Sequence, residues 1–553
     1  MRWLARGQPI DAAGAQLGGW HRRGDGRPRR SRSSTSSALT ASVGFGPRLP
    51  RRDRKRDLVV LVVVVGVLMA AVDTTIVVLA LPAMERSLHI ALSAVVWVIV
   101  AYVLVVTILA TQVGRLGDMF GRTRMYEFGF LVFIVGSALC ATATDETSII
   151  VFRIIQGVGG AFLTANSGAV LADAFPKQER GKAFGYNSIG WNVGAILGIL
   201  LGGLIITYVS WRWIFWINVP TGILALTLAL KVLRDSNPRR RQQLDLVGMA
   251  LLGVGLFGVL WAMTKLATSS LSESLLVSLV GGAAVLVVFV AVEHHRHAPM
   301  VNLRLFRIPT FAPTLLAALF QGLANFAVLF LVLMYLQGVR RLTPLDASLL
   351  LVPGYLVGGV IGPICGRLAD RFGAVWPATI GLGVEVLALG VYSQLTTTTP
   401  LGVVTIAAVL NGIGAGAFMP ANNSAVMKVA PGRDFGVASG MLRTFANIGM
   451  VFSFSVAVLV AARSVSRNLA FAIFVGTTSL PRRLGAPFTT GLHAAFFSSI
   501  GFMALAAVLS ATRVLGARRI VALSPARETD GSVRPPVAVQ DVNSHGPRDP
   551  GDA

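Results

Sequence analysis

Between residues 58 and 512 the chain alternates long apolar runs with short polar joints. The runs are too long for strands and lack the regular polar stripe of a helix on a soluble core. About 20 apolar residues span a bilayer core as a helix, and most of the runs reach that length. The pattern predicts fourteen helices, at 58–82, 93–113, 127–144, 147–172, 183–208, 213–232, 245–265, 275–293, 311–336, 345–366, 376–394, 401–427, 436–461 and 490–512.

The joints alternate in charge. Those after even-numbered runs, Gly114–Arg124, Pro176–Lys182, Arg234–Arg241, His294–Arg307, Gly366–Gly373 and Lys428–Asp434, all carry Arg or Lys. Most opposite joints, such as Ala143–Thr147 and Thr396–Pro400, are poor in cations. Cations collect on the cytoplasmic side of a membrane protein, so both termini are expected there, in a cell (inner) membrane. Arg340, Arg341, Arg463, Arg467, Arg482 and Arg483 depart from the rule, and the connection 462–489 is long and semi-apolar. Residues 211–220, Trp-Arg-Trp-Ile-Phe-Trp-Ile-Asn-Val-Pro, join two runs. Indole rings suit a membrane interface, one end apolar and the other wet.

Composition agrees. Of 553 residues 54% are hydrophobic and 13% charged, against about 25% charged in a globular chain. The formal charge of +24 sits in residues 1–56 and in the joints, which argues for orientation in a bilayer and against nucleic acid. Residues 1–57 are rich in Arg, Ser and Gly without apolar periodicity, and are expected to be a disordered basic cytoplasmic tail or an over-extended start site. The run beginning at Leu58 is too long for the core of a signal peptide. Residues 513–553 are expected to form a second disordered cytoplasmic tail. Cys140 and Cys365 fall inside apolar runs near opposite faces, so a buried apolar role is expected for both and a disulfide is not.

An internal repeat organises the runs. Gly114-Arg-Leu-Gly-Asp118 recurs as Gly366-Arg-Leu-Ala-Asp370, and Ala161-Phe-Leu-Thr-Ala-Asn166 as Ala417-Phe-Met-Pro-Ala-Asn422. Two six-helix bundles are predicted, at 58–232 and 311–512, with a linker at 233–310 that inserts two further helices.

With these strings the chain resembles the fourteen-helix drug:proton antiporters of the major facilitator superfamily, the group of the multidrug exporters EmrB and QacA. Val72–Pro82 is similar to its first-helix motif, with Val78 where Asn is usual. Residues 114–125 match its gating motif, Arg153-Ile-Ile-Gln-Gly157 its fourth-helix motif, and Trp211–Pro220 the opening of its sixth helix. Pro299–Phe306 and Leu342–Ala347 are also similar. The resemblance implies an all-α major facilitator fold with fourteen transmembrane helices, and proton-coupled efflux by alternating access. Gly190, Gly194, Gly198 and Gly202 keep the spaced glycines of the fifth helix, which allow close helix packing, but Ile199 stands where an antiporter usually has Pro.

Asp73 is the only ionisable residue of the first run, and a membrane acid faces a cavity or a partner. At about 1.5 Å per residue it lies roughly 22 Å in from Leu58, and Arg153 lies roughly 9 Å below the outer end of its antiparallel run. Both fall in the outer third of a ~30 Å core, so they are expected to meet. Such a pair serves either proton coupling or packing. Glu385, about 13 Å from the cytoplasmic end of its run, is a second candidate for proton binding. Glu293 is expected to be an interfacial charge, and Asp346 an acid favoured by the N-terminal dipole of its helix.

Gly114, Arg115, Asp118, Gly121 and Arg122 form the gating loop, which the resemblance makes a conformational latch. Gln156, Asn166, Asn192, Gln321, Asn325, Tyr355 and Asn422 are candidates to line a substrate cavity or to glue helices. The His residues show no metal-ligand spacing, and neither a phosphate-binding loop nor a nucleophile–base motif is present. No metal, no cofactor and no catalytic role are expected. The expected partners are a small amphiphilic substrate, protons and the lipid bilayer. An exporter of an endogenous lipid-like metabolite with different coupling, and a non-transporting membrane sensor or scaffold, remain as alternatives.

Overall fold

The computed structural model describes residues 54–90, 92–175, 180–235, 243–268, 272–296, 299–429, 435–461 and 485–523. The connection 462–489, apart from 485–489, and most of the two expected tails lie outside the described residues. The helices run in order α1 (Arg54–Leu88), α2 (Leu92–Val95), α3 (Trp97–Phe120), α4 (Arg122–Thr142), α5 (Glu146–Ala174), α6 (Arg180–Tyr208), α7 (Trp213–Trp216), α8 (Asn218–Val232), α9 (Leu246–Thr268), α10 (Glu273–His295), α11 (Phe311–Met334), α12 (Pro344–Phe372), α13 (Val375–Tyr392), α14 (Leu401–Val429), α15 (Phe435–Ala461) and α16 (Gly485–Leu523). Among the described residues thirteen spans are long and apolar enough to cross a membrane. The 27-residue α15 takes the place of the remaining predicted run.

Several ends differ from the sequence pattern. α1 continues six residues past Pro82, which sits inside it. Proline removes one N–H, yet the helix carries on, and Arg86 Nε donates to the Pro82 carbonyl at 3.1 Å. α16 runs to Leu523, so residues 513–523 are helix and not tail. α11 closes in a π turn, Tyr335–Val339, and the sixth run is broken between α7 and α8.

Side-chain caps explain several starts. Asp145 opens α5 in a reciprocal capping box with Ser148. The Ser148 backbone N–H that it accepts holds its carboxyl below the ordinary carboxylate range. Thr343 accepts the Asp346 backbone N–H and donates to its carboxylate at 2.7 Å, so Asp346 occupies the first turn of α12 as its charge predicts.

The repeat seen in the sequence is a repeat of packing. α1 lies on α6, α3 and α4 on α5, and α8 on α4 and α1. In the second half α11 lies on α15, α12 and α13 on α14, and α16 on α13 and α11. The halves meet through α3 with α15 and through α12 with α6, which are again equivalent pairs. α9 and α10 pack on each other, and α9 leans on α3, where Trp97 sits against Phe257 and Trp261 at centroid distances of 5.3 and 5.8 Å.

The spaced glycines of α6 all face α1. A Cβ at Gly190 would approach the Val64 carbonyl to 3.1 Å; one at Gly194 would press on Leu68 and Ala71; one at Gly202 would press on Ile76. A Cβ at Gly198 would collide with Thr75 Oγ1 and lie 2.8 Å from the Val72 carbonyl. Forcing a larger side chain into a filled contact costs about 1–3 kcal/mol. Gly198→Val should therefore lower the melting temperature of the purified protein clearly. Gly383→Ala, where a Cβ meets nothing within 4 Å, should barely move it.

Candidate functional site

The first half closes around one buried polar network. Asp73 on α1 and Arg153 on α5 are both 0% exposed, and Arg153 Nη1 donates to Asp73 Oδ2 at 2.7 Å. The two depths read from the sequence therefore bring these residues together. Gln156, one turn along α5 from Arg153, donates to Asp73 Oδ1 and to Ser137 Oγ of α4, each at 2.8 Å. Its own carbonyl accepts from Arg153 Nη1 at 2.7 Å and from the Cys140 thiol at 3.5 Å. Arg153 Nε reaches the Val98 carbonyl at 2.8 Å. Its guanidinium lies 4.4 Å from the Tyr102 ring centroid and 5.8 Å from that of Phe215. A charge so placed keeps counter-charge, hydrogen bonds and aromatic faces in place of water.

The second half holds a different acid. Glu385 on α13 is 0% exposed, and both its oxygens accept from Gln321 Nε2 of α11, at 3.3 and 3.4 Å. That partner is neutral, and among the described residues no cation pairs with Glu385. One turn along α11, Asn325 accepts from Asn411 of α14 at 3.2 Å.

The polar residues read as cavity lining or helix glue are distributed over several places. Gln156, Gln321 and Asn422 are buried inside side-chain networks, and Asn192, Asn325 and Tyr355 are half-buried. Asn166 is buried against the Gly117 turn of α3, where a Cβ would strike its Oδ1. Asn422 accepts from Arg513 at 2.9 Å and donates to the Thr314 carbonyl at 3.2 Å. Amides bonded in this way join helices.

The gating segment is tighter than a loop. Gly114, Arg115, Gly117 and Asp118 belong to α3, and the chain turns at Gly121 alone, whose φ of 109° suits glycine. Arg122 bridges Asp118 at 2.8 Å and Asp173 of α5 at 2.8 Å. Asp235 caps the start of α4 by accepting the Thr123 N–H at 2.9 Å. Arg115 is buried and donates to the Gln243 carbonyl at 3.0 Å and to that of Pro299. It therefore binds the linker, while Arg122 bridges α3 and α5.

At the other end of the first half, Trp213 and Trp216 are exposed as an interface predicts, whereas Trp211 is buried under the Arg212 guanidinium, 4.5 Å from its ring centroid. Arg212 donates to the Ala143 carbonyl at 3.0 Å and to Ser87 Oγ at 3.4 Å, tying α1, α4 and α7 together.

Sequence reasoning missed Asp173, Asp235, Tyr102 and Arg513, which lie far apart in the chain, three on different helices and Asp235 in the segment after α8. It also passed over Arg443, half-buried on α15 beside Thr444, whose hydroxyl meets that of Thr111 across the two halves at 3.5 Å. A lone arginine in an apolar run was the available signal.

The sequence profile of the Major Facilitator Superfamily matches residues 63–454. The riboflavin transporter RibZ of Clostridioides difficile (strain 630) is 29% identical over 422 residues, covering 76% of this chain and 91% of that protein. The tetracenomycin C resistance and export protein of Streptomyces glaucescens is 30% identical over 394 residues, covering 70% and 73%. Among solved structures, a bacterial homolog of the human lysosomal transporter Spinster, inward-facing and unoccupied, shares the fold with a TM-score of 0.59 at 16% identity, covering 86% of this chain and 100% of that one.

Proposed function

Because the chain belongs to the Major Facilitator Superfamily, a family of multi-pass membrane transporters, we propose that it is a proton-coupled antiporter that exports small amphiphilic compounds by alternating access. The observation that carries this reading is one fully buried acid in each half, Asp73 and Glu385. An ionisable residue inside a membrane bundle is expensive to keep and marks an ion path by default.

Asp73 is the coupling acid in this scheme. Protonation of Asp73 from the outer side loosens it from Arg153 and releases substrate outward, and substrate binding from the cytoplasm restores the pair and expels the proton inward. Arg153 keeps the Val98 carbonyl, the Gln156 carbonyl and the Tyr102 face, so it survives the separation. Glu385 supplies a second exchangeable proton. The Arg122 bridge to Asp118 and Asp173 closes the cytoplasmic side in one half of the cycle and opens in the other. The protein sits in the cell membrane with both termini inside, as the cation-rich joints favour. Relatives named for riboflavin and for tetracenomycin C make those two compounds the first to try.

The test is proton movement in proteoliposomes holding the full chain and an internal pH dye. Riboflavin, tetracenomycin C and a set of lipophilic cations are added in turn. A transported compound should drive protons the opposite way, and Asp73→Asn should abolish that signal. Transport by the wild type with no proton signal would sink the antiport reading.

A further inference from the structure

The inserted helix pair carries a polar cluster that the transport scheme leaves unused. Asp245 stands just before α9, and Glu293 lies in the last turn of α10. Glu293 was expected to be an interfacial charge; it is 2% exposed and Asp245 3%.

Each acid has one occupied oxygen. Asp245 Oδ1 accepts the Gly248 N–H at 2.8 Å, and Glu293 Oε2 accepts the Val301 N–H at 2.9 Å. The remaining oxygens, Asp245 Oδ2 and Glu293 Oε1, are buried with no hydrogen-bond donor among the described residues. They converge. A Cβ built on Gly248 would lie closer than 3.0 Å to both at once.

The charged groups around the pair come from two further places. Arg115 of α3 attracts both acids, while its guanidinium holds the Gln243 and Pro299 carbonyls, in the segments that carry them. Arg296 stands 4.0 Å from Asp245 Oδ1 and is half-exposed. Gln112 of α3 accepts the Asp245 N–H at 3.2 Å.

Two buried carboxylates whose free oxygens converge repel each other when both are ionised. One proton turns the same contact into a charge-assisted O–H···O hydrogen bond and satisfies both orphaned oxygens. We propose that Asp245 and Glu293 hold a single proton between them, a proton site distinct from Asp73 and Glu385, at the point where the inserted helices grip the end of α3. With the proton in place, one negative charge faces Arg115 and Arg296. Without it there are two, and the contact across Gly248 becomes repulsive.

The probe is dicyclohexylcarbodiimide, which attacks protonated carboxyls in apolar surroundings. It is applied to the full chain in lipid nanodiscs across a pH series, with adducts mapped by mass spectrometry. At this pair one adduct per molecule is expected, on Asp245 or Glu293 and counted apart from any on Glu385, falling about tenfold per pH unit above the titration of the pair. Glu293→Gln should remove the adduct from Asp245 as well, since Asp245 then has no acid to share with. No adduct at any pH, adducts on both acids of one molecule, or protection by sodium at fixed pH would each overturn the shared proton. Labelling needs no transport, so its outcome is independent of the antiport test.

Discussion

Arg153→Met is expected to be the most damaging single change in the first half. It strips Asp73 of its only cation among the described residues and leaves the carboxylate with Gln156 alone, at no solvent exposure. Removing one partner of a buried ion pair costs about 3–5 kcal/mol. The purified variant should melt well below wild type in detergent. Asp73→Asn should cost less, because Arg153 retains two carbonyl acceptors and the Tyr102 ring. Combining the two changes should recover most of the loss, since no uncompensated charge is then buried. A double variant as unstable as Arg153→Met would mean that packing of the guanidinium, rather than charge, carries the site. The same three proteins separate stability from coupling: Asp73→Asn should fold and bind yet fail to move protons.

Glu385→Gln should give the largest functional effect in the second half with little loss of fold. The amide keeps the size of the acid and can still bond to Gln321. One coupled charge crossing 100 mV is worth about 2.3 kcal/mol, or roughly 50-fold in the concentration gradient a transporter can sustain. Energised vesicles containing Glu385→Gln should therefore reach a substrate gradient lower by about that factor, while unenergised substrate exchange continues. An unchanged gradient would remove Glu385 from the proton path and leave it as a helix-packing acid.

The helices were legible because the bilayer imposes a length on each run. The Asp73–Arg153 meeting was legible because rise per residue fixes depth, and two residues at one depth on antiparallel helices have a chance to touch. The facing of each helix was not. In a bilayer the outer surface is as apolar as the packed interior, so no polar stripe says which side turns inward. For that reason cavity lining and helix glue both stayed open for Asn166, which lies at the Gly117 turn, and for Asn422, which holds Arg513. Glu293 was misplaced, and Asp245 passed over, for a related reason. Each ends an apolar run, where a charge ordinarily reaches water. Only the antiparallel return of α10 onto α9 brings them face to face.

Among the described residues, every side chain bonded to Asp73 or Arg153 comes from the first six-helix half, and Gln321 and Glu385 share the second. Two jaws hinging as solid blocks would leave all of these distances unchanged and be deaf to a proton at either acid. The proposed coupling requires the blocks to have some give. Its natural addresses are the prolines lodged inside their helices, where a rung of the backbone ladder is missing. Pro82 lies nine residues from Asp73 on the same rod, Pro353 and Pro363 interrupt α12, and Pro420 interrupts α14. The proposed coupling is then a matter of elasticity inside each half as much as of rotation between them.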